Sequence, residues 1–288
     1  MQFVRHLLSC LVIAAAFTTS LPARAETGGG APTAEATVAT LAKTMRFQDL
    51  FAIMAEEGVA HGKTLEADMF PSGGGPGWQE AVSAIYDVEK LHKDFAAALE
   101  TQLATDPEAL AEIIGFFGSD LGQRIVGLEI DARRAFLDTA SEEAARVAAD
   151  RRSAKRDPKL AQIRRFIEAG DLLEMNVAGA LSGNLAFMKG LSGTGAYGQP
   201  MPEDQIMSDV WAQEGQIRED TNSWLLAYLG LAYDPLSEAE LEAYVTFSES
   251  SAGQRLNAAL FTAFDAVFRQ VSYDLGRAAG IAMQGRDI

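Results

Sequence analysis

Cysteine is almost missing from this chain. Cys10 is the only one among 288 residues, and it lies in an N-terminal apolar stretch. Beyond it there is no thiol, which excludes disulfides, Cys-ligated metals and thiol nucleophiles. Histidine is nearly as scarce. After His6 only His61 and His92 remain, both in the first half. That leaves few members for a nucleophile–base pair. It also falls short of a di-iron bundle, which needs two Glu-x-x-His steps and two further carboxylates. Positive charge is in deficit: 24 Lys and Arg stand against 40 Asp and Glu, for a net charge of −16. A surface of that sign does not attract nucleic acid in general and favours solubility. Runs of β-branched residues are missing too, while Ala, Leu, Glu and Arg are plentiful, a composition that favours helix over strand.

Long apolar runs are also lacking. Leu7 to Phe17 is too short to span a bilayer. It follows the positive start Arg5-His6 and precedes Ala23-Arg24-Ala25, small residues at the two positions read by signal peptidase. Residues 1–25 therefore read as a secretory signal cleaved after Ala25, which makes the product periplasmic or secreted. Losing Arg5 and Arg24 with it takes the net charge to about −18. Residues 26–39, rich in Gly, Ala, Thr and Pro, read as a flexible leader.

The remainder predicts an all-α protein of about eight helices, arranged as two similar helical repeats in a two-lobed bundle. Residues 40–156 form the first repeat and 157–288 the second. Phe47, Leu50, Phe51, Met54, Leu65 and Met69 recur at helical steps, and so do Val82, Ile85, Val88, Leu91, Phe95, Leu99 and Leu103 from Trp78 onward. A third helix is expected from Ser119 to about Arg152. Asp106-Pro107-Glu108 and Asp157-Pro158 each combine an N-cap with a proline at the first helical position. Ser237-Glu238-Ala239-Glu240 is a capping box. Arg165-Phe166 is expected to open a helix much as Arg46-Phe47 does, and the last helix to run to about Gly276. The amphipathic faces pack into one core per lobe or into one continuous core.

The strongest sign of a repeat is a nine-residue stretch that occurs twice. Phe116 to Arg124 is F-F-G-S-D-L-G-Q-R, and Phe247 to Arg255, 131 residues later, is F-S-E-S-S-A-G-Q-R. The shared residues are Phe116, Ser119, Gly122, Gln123 and Arg124, and Phe247, Ser250, Gly253, Gln254 and Arg255. Such a stretch reads as a helical corner. The serine hydroxyl caps a new helix, the glycine admits another backbone, and the Gln and Arg bond loop carbonyls or pair with acids.

Leu236 to Leu256, L-S-E-A-E-L-E-A-Y-V-T-F-S-E-S-S-A-G-Q-R-L, resembles the signature of the bacterial domain of unknown function 2059 family. That signature is an acidic capping segment, an apolar helix, an aromatic, then Ser-x-x-Gly-Gln and a basic residue. Ser248 stands where the family often has an aromatic and Ser251 where proline is common. Asp106 to Ile125 is a more diverged version. The resemblance implies an exported, all-helical bacterial protein and carries no assigned activity.

Other motifs are weak. Glu57/His61 and Glu89/His92 have ligand spacing on a helix face, yet the second repeat supplies no histidine, and no metal site, catalytic residue or cofactor is assigned. The Gly73–Gly75 and Gly190–Pro202 loops lack the Gly-Lys-Ser/Thr ending of a phosphate loop. No Gly-x-Ser-x-Gly elbow occurs. Residues 146–165 hold eight basic residues, of which Arg151, Arg152, Lys155 and Arg156 are the candidate interaction site for an anionic partner. The resulting expectation is an exported non-catalytic protein that binds a protein or envelope component and no nucleic acid. The alternatives are a hydrolase-type enzyme built on a carboxylate/His pocket, and a peripheral binder of anionic membrane surface through the basic segment.

Overall fold

A computed structural model describes residues 36–70, 73–196 and 198–285. The signal and most of the leader expected from sequence lie outside them. The described residues form helices and no strand: α1 (Val38–Thr44), α2 (Phe47–Met69), α3 (Gly75–Ile85), α4 (Val88–Leu103), α5 (Pro107–Phe117), α6 (Asp120–Ala135), α7 (Thr139–Lys155), α8 (Pro158–Ala169), α9 (Leu172–Gly193), α10 (Glu203–Trp211), α11 (Glu214–Ala232), α12 (Glu238–Ser248) and α13 (Ser251–Met283). The all-α expectation holds.

There are thirteen helices among these residues instead of about eight, because several stripes that read as continuous are cut by local caps. Asp87 accepts from the Lys90 N–H and starts α4, and Asp138 accepts from the Ser141 N–H and starts α7. Each satisfies a donor that a helix start leaves orphaned. Arg46 separates α1 from α2 by adopting a left-handed conformation, φ 54°. Arg165 and Phe166 do not open a helix: they lie inside α8, and the left-handed residue before α9 is Asp171, φ 50°. α13 passes through Gly276 and continues to Met283. The first helix already begins at Val38, within the expected leader.

The first six helices and the last six follow the same order and make similar neighbours. α1 lies on α4 and α5 as α8 lies on α11 and α12, while α2 lies on α3 and α4 as α9 lies on α10 and α11. α7 connects the two sets and packs on α11. The halves share one core instead of closing around one each. Phe51, Phe95, Phe117, Phe166, Leu225, Tyr244, Leu256 and Leu275 belong to a single buried cluster. Interlocking helices cause this. α13 crosses to pack on α3, α4 and α5, and α6 packs on α11.

The most extensive contact is between α9 and α13. Small residues permit it. A Cβ on Gly276 would lie 2.8 Å from the Phe187 carbonyl carbon, and one on Gly190 3.0 Å from the Arg277 nitrogen. The two backbones thus touch where side chains would hold them apart. Among the described residues, no helix is long and apolar enough to cross a membrane.

Candidate functional site

Each copy of the repeated stretch forms a corner between two helices. Ser119 is the N-cap of α6, and its hydroxyl oxygen accepts from the Gly122 N–H at 3.1 Å. Ser250 is the N-cap of α13 and accepts from the Gly253 N–H at 3.1 Å. Gly122 is buried, and a Cβ there would lie 2.9 Å from the Phe117 carbonyl carbon. The glutamines reach back to the end of the first helix of their own half. Gln123 Nε2 donates to the Thr44 carbonyl at 2.9 Å, and Gln254 Nε2 donates to the Ala169 carbonyl at 3.2 Å. Thr44 ends α1 and Ala169 ends α8, so each amide supplies a donor to a carbonyl left over at a helix C-terminus.

The arginines cross between halves. Arg124 pairs with Glu240 of α12 and donates to the Pro235 carbonyl at 2.7 Å. Arg255 donates to the Gln102 carbonyl, near the end of α4, at 2.6 Å. Phe116 and Phe247 meet between them, stacked at 3.9 Å with an interplanar angle of 8°. Phe117 presents its edge to Phe247 at 5.5 Å. Equivalent residues of the two stretches therefore touch one another, and each stretch clasps the opposite half.

Sequence reasoning passed over Glu129 on α6, which lies beside this seam. The residue is half-buried, but its carboxyl end is enclosed by the second half. Tyr233 O–H donates to Oε1 at 2.6 Å and Tyr244 O–H at 3.1 Å, and both tyrosines are fully buried. Tyr228 O–H donates to the Glu129 backbone carbonyl at 2.8 Å. Burial raises the Glu129 pKa to about 7, against the lowering effect of the two hydroxyls. Burial also pushes Tyr228, Tyr233 and Tyr244 up, with the Glu129 charge adding to each. One turn further along, buried Arg133 forms a two-pronged pair with Glu57 of α2, one prong being Nε to Oε1 at 2.9 Å. Glu129 gave no local signal, because it sits in an ordinary helical stripe and its partners are about a hundred residues away.

The basic segment is largely drawn into the α7–α8 corner. Arg152 pairs with Asp234, and Lys159 donates to the Asp234 carbonyl at 2.7 Å. Arg165 bridges Glu242 and Glu249, whose hydrogen bonds raise its pKa. Arg146 pairs with Glu142 and reaches the Ser223 hydroxyl. Arg151, Lys155 and Arg156 stay exposed.

The two histidines lie on different helices. His61 is buried in α2, and His92 of α4 sets its ring edge against Phe51 at 6.0 Å. Glu57 is committed to Arg133, and the described residues hold no cluster of three or more His, Cys, Asp or Glu able to bind a metal. His92 also borders a groove of about 520 Å³ lined by Val38, Ala42, Arg46, Asp49 and Glu100. A second groove, about 340 Å³, occupies the corresponding place in the other half, lined by Arg164, Glu168, Asp171, Glu174 and Leu226. Trp78 of α3 and Trp211 of α10 have opposite environments. Trp78 is 1% exposed and its indole N–H donates to the Gly62 carbonyl, whereas Trp211 is 58% exposed. Met207, one turn before it on α10, is 41% exposed.

Residues 89–150 match the model of a family described as an uncharacterized protein conserved in bacteria (DUF2059). That stretch runs from α4 into α7 and contains the first clasp, Phe116 to Arg124, together with Glu129 and Arg133. The family resemblance read in the sequence is thus shown for residues 89–150, which hold the Asp106–Ile125 version of the signature; Leu236–Leu256 lies outside the match. No curated protein and no solved structure matches the chain.

Proposed function

We propose that this chain, similar in part to an uncharacterised bacterial family, is an exported, non-catalytic binding protein made of two copies of one helical unit. Its partner is a protein or another component of the cell envelope. The duplication is supported by the paired left-handed residues Arg46 and Asp171, the paired serine caps and the reciprocal Gln and Arg bonds. The non-catalytic part is supported by the use of these polar groups inside the fold, where they hold helix ends. Export is supported by the pattern of residues 1–25. Recovery from the periplasmic fraction of a chain beginning at Glu26 tests it.

One observation carries the binding reading. Met207 and Trp211 expose their apolar surface on one face of α10, whose inner face is already anchored on α9 by Ile206 and Val210. A large aromatic held out on a fixed helix is the kind of residue that dominates interfaces. The test is photo-crosslinking from position 208 in envelope extract, compared between the wild-type chain and M207S/W211S. The captured species, purified, should then bind the wild type and lose at least ten-fold in affinity for the variant. Equal capture and affinity, with melting unchanged, would refute the reading.

The basic segment supports the membrane-surface reading less well. Arg152, one of its four candidate residues, is already paired, which leaves Arg151, Lys155 and Arg156.

A further inference from the structure

Glu129 is an enclosed titratable group that the binding reading does not use, and it lies where the halves meet. We infer that Glu129 is a proton-operated latch: protonated, it is a neutral hydrogen-bonding link between α6 and the α11–α12 corner, and ionised, it places a charge inside that seam and loosens it.

The geometry supports this in three ways. First, a single residue holds three tyrosines of the other half, two through its carboxyl and one through its backbone carbonyl. Any movement of Glu129 is therefore passed to α11 and α12 together. Second, the groups that reach the carboxyl are hydroxyls. A hydroxyl can donate to a carboxylate or accept from a carboxylic acid, so the neutral acid is fully partnered here, whereas the ionised form keeps two donated bonds but adds a charge that burial penalises. Third, the enclosing walls are apolar or aromatic. Phe166 of α8 packs on both Tyr233 and Tyr244, at 5.5 and 4.9 Å. The titratable and charged groups around Glu129 are Tyr228 from α11, Tyr233 at its C-cap, Tyr244 from α12, Arg133 on α6 itself, and Glu57 from α2, which Arg133 holds.

The direction follows from linkage. Folded, the carboxyl titrates at about 7 instead of its ordinary 4.5. The folded state binds the extra proton between those values, so this contribution is complete below the lower one and is lost as pH rises through the upper. The folding constant falls by roughly 300-fold from well below the lower value to well above the upper.

The test is thermal unfolding of the full chain from about pH 5 to about pH 8.5, with hydrogen exchange, corrected for its intrinsic rate, followed over residues 228–248. The wild type should lose roughly 5–10 °C in Tm across this range, the part of the fall (about 75-fold) that lies above pH 5, and the 228–248 segment should lose protection. Glu129→Gln should show neither change. Parallel profiles for the two proteins would overturn the inference. Should the Gln variant not fold, Tyr244→Phe provides the check. It keeps the acid and removes a donor that favours the ionised form, so the transition must move to higher pH. A transition at an unchanged pH would overturn the inference equally.

Discussion

Replacing Gly276 with alanine probes the contact on which the interlocked fold depends. The new Cβ would sit 2.8 Å from the Phe187 carbonyl carbon and 3.0 Å from the Leu191 nitrogen. Ordinary carbon contacts are about 3.5–4 Å, and the Phe187 carbonyl oxygen lies closer still, so α9 and α13 must separate by at least about 1 Å at their crossing. No side chain can rotate away, because the obstructing atoms are backbone. Overpacking of this kind costs about 1–3 kcal/mol, and a rigid crossing belongs at the upper end. Alanine recovers about 1 kcal/mol of helix propensity over glycine. The net expectation is a loss of about 2 kcal/mol, read as a fall of roughly 4–8 °C in Tm for a chain of this size. Gly127→Ala is the matched control. That residue is helical in α6 with nothing within 4 Å of a new Cβ, so only the propensity gain applies and Tm should rise slightly. The measurement is thermal unfolding by circular dichroism at one pH. Equal stability of the two variants would refute the claim that the crossing is held at backbone contact.

The remaining predictions concern caps and charges. Ser119→Ala and Ser250→Ala should each cost about 1 kcal/mol in urea unfolding, the ordinary value of a lost N-cap, and the double variant should cost about the sum because the caps serve different helices. Arg133→Ala should cost about 3 kcal/mol, because it strands Glu57 beside the core where the arginine side chain is 5% exposed. Arg165→Gln should raise the pH at which acid unfolding begins. Arg165 holds the Glu242 carboxyl below its ordinary range, so that stabilisation is present above the unfolded value and vanishes as pH falls through the folded one. An unchanged acid midpoint would argue against this pairing in solution.

The caps that break a stripe with a local signal were legible from sequence. Asp106-Pro107, Ser119, Asp157-Pro158 and the Ser237–Glu240 box carry their own chemistry, and each starts a helix. The missed breaks share one physical cause. At Asp87 and Asp138 the apolar period continues across the cap, from Ile85 to Leu91 and from Phe136 to Ala145, so periodicity outvoted a single capping residue. The apolar stripe of the last helix reads to about Gly276, whereas α13 runs on to Met283. Gly276 is the point where a second backbone arrives, which only the tertiary structure reveals. Glu129 was hidden for a similar reason. Forty acidic residues give no reason to single out one, and its burial depends on tyrosines from the other half.

The repeated motif gains its meaning from where its two ends reach. The serine and glutamine act within a half, capping a helix and closing the end of the first helix, and a single copy supplies both. The arginine and the leading phenylalanine act between halves, and they are complete only when two copies face each other. The shared residues of the two stretches thus serve helix ends and the contact between the halves. The departure at Ser248 fits the same logic. The matching residue of the first copy, Phe117, fills the space beside Phe247 and Tyr244. Ser248 is fully buried, and its hydroxyl lacks a hydrogen-bond partner. An aromatic in place of Ser248 would add volume at a fully buried position, and packed interiors do not absorb such an excess without strain. The two copies therefore differ at matching positions, a large aromatic at Phe117 and a small buried residue at Ser248.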